Sequence, residues 1–177
     1  MPELLTARLQ LRPPLAQDFE DWARLMAEPE SARFIGGVQP RAAAWRGFLT
    51  MVGAWQIQGF GMFSVIERAS GQWLGRVGPW QPEGWPGTEV GWGLLSEFQG
   101  RGYAQEAAAA SIDWAFDQLG WSEVIHTIDP ANLPSQRLAE RLGSRLRGPG
   151  RLPPPFETLT IDIWAQTRAQ WRERRDT

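Results

Sequence analysis

Neither cysteine nor lysine occurs anywhere in the 177 residues. The first absence removes disulfides, thiolate nucleophiles and cysteine-ligated zinc. The second removes the P-loop lysine and any Schiff-base lysine, since all 18 basic residues are arginine. A single histidine, His126, rules out a multi-histidine metal centre, so no metal site is expected. No apolar run approaches the ~20 residues of a membrane span. The opening MPELLTARLQLR carries no apolar block behind a basic start, so the expectation is a cytoplasmic protein with no membrane partner. A dominant charge is also missing. A net charge of -2 gives no general attraction to nucleic acid, and any anion site must be local.

What is present suits one domain over residues 1–177, with 42% hydrophobic and 21% charged residues, ordinary values for a globular chain. Eleven tryptophans are the exception. Hydrophobic periodicity predicts the order β-α-α-β-β-β-α-β-α-β. Residues 8–12 alternate as a first strand and stop at Pro13-Pro14. Residues 15–27 predict a helix capped by Asp18, with Phe19, Trp22, Leu25 and Met26 on its apolar face, and Pro29 stops it. A loop over 34–37 leads to a second helix opened by Pro40, with Trp45, Phe48, Leu49, Val52 and Trp55 on one side.

Strands over 59–67 and 72–80 meet around Ser70-Gly71, and the turn 82–87 delivers the chain into a strand over 89–95. A long helix runs from about Tyr103 to Gly120, followed by a strand over 123–128 and a short helix over 132–142. Residues 148–155 read as a Pro/Gly-rich turn, 156–167 as a last strand, and 168–177 as a loosely ordered charged tail, with a frayed helix from Trp171 as its alternative. The strand–helix–strand crossover makes its two strands parallel. The pattern predicts a single mixed-sheet α/β domain.

The chemistry concentrates where the strand over 89–95 passes through Gln99-Gly100-Arg101-Gly102-Tyr103-Ala104 into the long helix. The first amides of a helix lack intrahelical partners and sit at the positive end of its dipole, which suits a phosphate. The same glycines would also serve a plain tight turn. The third glycine of a dinucleotide fingerprint is replaced by Gln105. A second cluster follows one strand later, with Asn132 as a cap, Ser135, and the core leucines Leu138 and Leu142.

Taken together, these segments resemble the GNAT superfamily of acetyl-CoA-dependent N-acetyltransferases, in which [QR]-x-x-G-x-[GA] cradles the CoA pyrophosphate. Thr6-Ala7-Arg8-Leu9-Gln10-Leu11-Arg12, Glu89, the run from Gly100 to Ala107, and Asn132 with Ser135 resemble the subgroup of ribosomal-protein N-terminal acetyltransferases. The likeness spans nearly the whole chain. It implies an α+β fold with a strongly twisted, mostly antiparallel mixed sheet of about seven strands and about four helices. Its fourth and fifth strands, 89–95 and 123–128, would splay apart to admit the pantetheine arm by strand addition. Gly91 and Gly93 fit a close ligand approach.

The resemblance implies acetyl transfer to a primary amine, either a protein N-terminus or a small molecule, by direct attack in a ternary complex. Gln99, Gly100, Arg101, Gly102, Tyr103 and Ala104 would hold the pyrophosphate. A backbone N–H of Leu94 or Leu95 would meet the oxyanion. Glu89 is the candidate base, against its alternative as an ordinary strand glutamate. Asn132 would hold the pantetheine side. Ser135 is assigned the thiol contact, because the only tyrosine, Tyr103, belongs to the phosphate turn. His126 is a further candidate base, although a lone strand histidine is more often a hydrogen-bonded structural residue. Trp22, Phe34, Trp45, Trp55, Trp80, Trp85 and Phe156 fall in the region the resemblance gives to the acceptor, and most of them are expected to be core or packing residues. Trp80 and Trp85 suit an acceptor pocket or a contact between two copies in a homodimer. A non-catalytic acyl-CoA-binding regulator is the alternative from another class.

Overall fold

In the computed structural model, which describes residues 2–175, eight strands form one sheet in the order β1-β2-β3-β4-β5-β6-β8-β7. These are β1 (Leu4–Leu5), β2 (Leu9–Arg12), β3 (Phe63–Glu67), β4 (Trp73–Trp80), β5 (Glu89–Leu94), β6 (Glu123–Ile128), β7 (Arg145–Gly150) and β8 (Ile161–Thr167). Only β5 and β6 run parallel; every other pairing is antiparallel. The parallel pair is the one bridged by the long helix, as the crossover requires.

The helices are α1 (Phe19–Ala27), α2 (Pro29–Ala32), α3 (Arg41–Ile57), α4 (Tyr103–Gln118), α5 (Leu133–Leu142) and α6 (Arg168–Arg175). In α4 the small buried residues Ala107, Ala108 and Ala115 bring the helix close to β4 and β5, with Ile112 and Phe116 filling the remaining space. In α3 the buried face is Ala44, Phe48, Met51 and Trp55, while Trp45 and Leu49 are exposed. The predicted face was therefore rotated toward solvent by about one position.

The expected mixed, mostly antiparallel sheet is present, with eight strands, and six α-helices lie among the described residues. Three local expectations are corrected. The added β7 reads RLRGPG and lies at the open edge with mostly exposed side chains, so no alternation betrays it. Proline at an edge costs the sheet little. The last strand begins at Ile161, leaving Phe156 in the preceding connection. The segment expected to be a loose tail is helical over 168–175, with Trp171 buried and its Nε1 donating to Asp113 at 2.7 Å; residues 176–177 lie outside the described residues.

The entry into α1 also differs. Asp18 accepts the Leu15 N–H at 2.9 Å and makes no cap bond to α1. It is buried and takes two bonds from the Arg12 guanidinium, at 2.7 and 2.8 Å, and one from Ser64 Oγ at 2.7 Å. Strands β2 and β3 and the start of α1 are thus tied at one carboxylate.

Candidate active site

The site follows from the register of β5. Leu95 N–H donates to Leu74 O at 3.0 Å, so Leu95 belongs with Glu89, Gly91 and Gly93 among the residues whose backbone polar groups face β4. Those of Val90, Trp92 and Leu94 face β6. Strand β6, however, pairs with β5 only at Glu89↔Ile125 and then diverges. The strands splay as expected. Leu95 is excluded as a free donor, and Leu94 is the residue whose N–H points into the gap.

Side chains fill part of this gap. His126 Nδ1 lies 2.7 Å from Val90 O and its Nε2 lies 2.9 Å from Ser144 Oγ. A carbonyl only accepts, so Nδ1 carries the proton and Nε2 accepts from the serine. Burial holds the His126 pKa down at about 4, against the smaller opposing effect of the Val90 bond. His126 is a neutral brace between the strands. At the far end Gln99 Nε2 donates to Leu94 O at 2.9 Å. Trp92 Nε1 reaches across to Ser135 Oγ on α5 at 3.1 Å. Among the described residues, the N–H and C=O of Trp92 and the N–H of Leu94 find no protein partner.

Beside the splay lies a cavity of about 540 Å³, walled by α1, the 33–39 loop, β4, β5, β6 and the β7–β8 connection. Trp22, Phe34, Trp80, Trp85 and Phe156 line it, more of the seven aromatics than a mainly packing role predicts. Trp45 and Trp55 do not: Trp45 packs edge-on against Phe19, and Trp55 is buried with its Nε1 on Met62 O at 3.0 Å.

Glu89 sits where the strands part, 6% exposed and on the cavity wall. Its carboxylate accepts the Thr127 N–H at 2.9 Å, the Thr127 hydroxyl at 3.0 Å and Trp85 Nε1 at 2.5 Å. Burial pushes its pKa above the ordinary carboxylate range, and these donors, with the more distant charge of Arg76, pull the other way without cancelling it. The result is a fixed, buried carboxylate with raised proton affinity. That is what a general base for an amine needs.

The other predicted residues are placed less uniformly. Gly100 and Gly102 have φ of +74° and +80°, and α4 starts at Tyr103 with Glu106 N–H the first to find an acceptor within the turn, Gly102 O at 3.1 Å. The amides of Tyr103, Ala104 and Gln105 are therefore open, as an anion site requires. This turn lies outside the cavity. The Tyr103 hydroxyl is bound to the Glu67 carboxylate, so only its backbone is available. Arg101 is exposed, and its carbonyl accepts from Arg8 Nη1 at 3.0 Å. Asn132 and Ser135 both line the cavity, with the Asn132 carboxamide capping α5 through Ser135 N–H at 3.2 Å.

Two supporting residues had no role predicted from the sequence, although Glu106 lies within the quoted run from Gly100 to Ala107. Glu106 accepts the Thr6 hydroxyl at 2.6 Å, Arg8 N–H at 2.8 Å and Arg8 Nε at 2.7 Å. The T-x-R opening and the helix after the Gly100–Gly102 turn are thus one clamp; their shared presence was the available signal. Glu28, bonded by Ser31 Oγ at 2.6 Å and Ser96 Oγ at 3.2 Å, ties the α1–α2 corner to the end of β5. Nothing local in the sequence marks it.

Comparison with known proteins agrees with this geometry. A family model described as an acetyltransferase (GNAT) domain matches residues 8–145. An acetyltransferase from Agrobacterium tumefaciens of known crystal structure superposes with a TM-score of 0.83, at 32% identity over 95% of each chain. A ribosomal-protein-S5-alanine acetyltransferase from Vibrio fischeri shares the fold, with a TM-score of 0.72 at 18% identity over 97% of this chain and 99% of that one. An uncharacterized N-acetyltransferase of Bacillus subtilis, YnaD, is 33% identical over 86 residues, 49% of this chain and 51% of that protein. The match thus spans about half the length of that curated relative. Among the described residues no helix is long and apolar enough to cross a membrane.

Proposed function

The chain belongs to the GNAT acetyltransferase family, and from that premise we propose that it transfers the acetyl group of acetyl-CoA to a primary amine held beside Glu89. Acetyl-CoA would supply the acetyl group as an activated thioester. The residues present fit it: open amides at the start of α4 for the pyrophosphate, and unpaired backbone groups of Trp92 and Leu94 for the pantetheine edge. Gln99 would act indirectly, by holding the Leu94 carbonyl and so aiming the Leu94 N–H at the oxygen where negative charge develops. Asn132 would shape the pantetheine side by fixing the start of α5. Ser135, supported by the Trp92 indole, would stand near the departing thiol.

The observation that carries this reading is Glu89. A buried carboxylate with raised proton affinity, at the point where the sheet opens into a cavity, is placed to take the proton of an attacking amine. The test is CoA release measured with acetyl-CoA and a panel of small amines and N-terminal peptides. Amine-dependent release is expected. Tight acetyl-CoA binding without turnover on any amine would instead favour a binding-only regulator.

The phosphate turn has its own test. Replacing Gly102 by valine puts a β-branched residue at φ of +80°, with its Cβ 3.3 Å from Arg8 Nη2. Left-handed backbone costs an L-residue about 1–2 kcal/mol, and relief of that strain tilts the open amides away from an anion. Acetyl-CoA affinity should fall about tenfold or more by titration calorimetry, since 1.4 kcal/mol is a factor of ten. Unchanged affinity would remove the turn from the cofactor site.

A further inference from the structure

Among the buried or half-buried polar groups that line the cavity, Glu89, Thr127, His126 and Ser135 have oxygen or nitrogen partners, whereas Trp22 Nε1 and Arg76 have none. Arg76, on β4 and in the cavity wall, makes no ion pair among the described residues. Its Nη1 meets only the sulfur of Met62, at 3.0 Å, and its buried Nε has no partner. The guanidinium lies 5.1 Å from the Trp22 ring centroid. Burying such a group without an oxygen acceptor is costly, and burial accordingly lowers its pKa to about 10.

Glu89 shares this face of the sheet, since Arg76 pairs with Gly93 and Glu89 with Trp80. The two charges do not pair. The position of a Cβ on Gly91 lies 2.6 Å from Met62 Cε and 3.7 Å from Glu89 Oε1, so the Met62 thioether stands between acid and guanidinium. One wall of an aromatic cavity thus presents a carboxylate and, past a thioether, a cation lacking an oxygen partner. A ligand carrying both an ammonium and an acid group matches that order of charges.

We propose that the acceptor is an amine that also bears an acid group, held with its amine at Glu89, its acid group on Arg76 and its apolar body against Trp80 and Trp85. This rests on the acetyl-transfer reading above. An apolar free amino acid and a peptide with an acidic N-terminal residue present the same chemistry, and the assay separates them. A charge-assisted bond from a half-buried guanidinium is geometrically selective, which a neutral isostere cannot reproduce.

The experiment measures acetyl transfer on matched pairs: a free apolar amino acid against its amide, and a peptide with an N-terminal glutamate against one with glutamine. The acid-bearing member of at least one pair should be favoured about tenfold or more in kcat/KM, chiefly through KM. That preference should collapse toward unity in Arg76→Gln and be kept only in part in Arg76→Lys, which retains the charge and loses the planar fork. Which pair shows it identifies the source of the amine. Equal use of both members in both pairs by the wild-type protein would overturn the proposal while leaving acetyl transfer intact, and needs no variant to fold. A preference that persists in Arg76→Gln would overturn it equally. Failure to acetylate any amine would defeat the parent reading and this one with it.

Discussion

Replacing Glu89 by glutamine should lower kcat/KM for amine acetylation by about 10²- to 10⁴-fold, the usual contribution of a positioned general base. The acetyl-CoA dissociation constant should stay close to wild type, because neither the Gln99–Ala104 turn nor the free backbone groups of Trp92 and Leu94 bond this side chain, and glutamine keeps an oxygen for the Thr127 N–H. In the wild-type protein the rate should climb with pH as Glu89 loses its proton, at a pKa above the ordinary carboxylate value because burial raises it. A second climb belongs to the amine, whose own pKa lies near 8 to 10. The variant should lose the first climb and keep the second. Activity above half of wild type with an unaltered pH profile would remove Glu89 from the chemistry.

Stability gives an independent check on the same residue. A carboxylate whose pKa is raised on folding holds more proton in the folded chain than in the unfolded one. Stability therefore declines as pH rises from the unfolded pKa through the folded pKa, and is level above that. Glutamine removes this slope. It also offers one oxygen where Thr127 N–H and Trp85 Nε1 need two acceptors, so about 1–3 kcal/mol returns as a cost from the unpaired donor. Urea denaturation of wild type and variant across that pH window separates the two effects.

The sequence was informative where function is local and less so where it depends on pairing across strands. The turn from Gln99 to Ala104 was legible because its signal, glycines between a strand and a helix, lies within a few residues. Glu89 was legible only through the family likeness, since its partners Thr127 and Trp85 lie on other segments. Leu94 and Leu95 looked alike as oxyanion donors, because period-two alternation says which groups share a side and not which side faces the gap. Register decided between them. Strand β7 is not legible because an exposed edge strand has no face to bury, and the final helix is legible only as a frayed alternative because its single buried anchor, Trp171, gives no period. Arg76 drew no notice, since an arginine in an alternating strand normally reaches water.

Replacing Asp18 by alanine should destabilise the protein by about 3–5 kcal/mol, the range for breaking a buried pair by removing one partner. The carboxylate is 3% exposed and serves three donors on three segments. Without it, the Arg12 guanidinium keeps a half-buried charge and loses both oxygens, and Leu15 N–H loses its acceptor. Ser64 Oγ loses its own acceptor while still receiving Trp73 Nε1 at 3.0 Å, so the defect reaches into β4. At about 2–4 °C per kcal/mol for a chain of this size, melting should fall on the order of 10 °C.

The pH dependence has the opposite sign to that of Glu89. Burial pushes the Asp18 pKa upward, but the bonds from Arg12, Leu15 N–H and Ser64 outweigh it and hold the group below its ordinary value. Its contribution is therefore complete above the unfolded pKa near 3.8 and is lost as pH falls from there through the folded pKa. The variant should be least different from wild type in acid. Replacing Arg12 and Asp18 together by apolar residues should recover much of the loss, because no buried charge is then left alone. A single-variant cost below about 1 kcal/mol would show that water reaches Arg12 freely. The consequence for function is positional. Asp18 sets the entry angle of α1, whose Trp22 and Met26 wall the cavity beside Arg76, so loosening that carboxylate should raise KM for the amine before it alters affinity for acetyl-CoA.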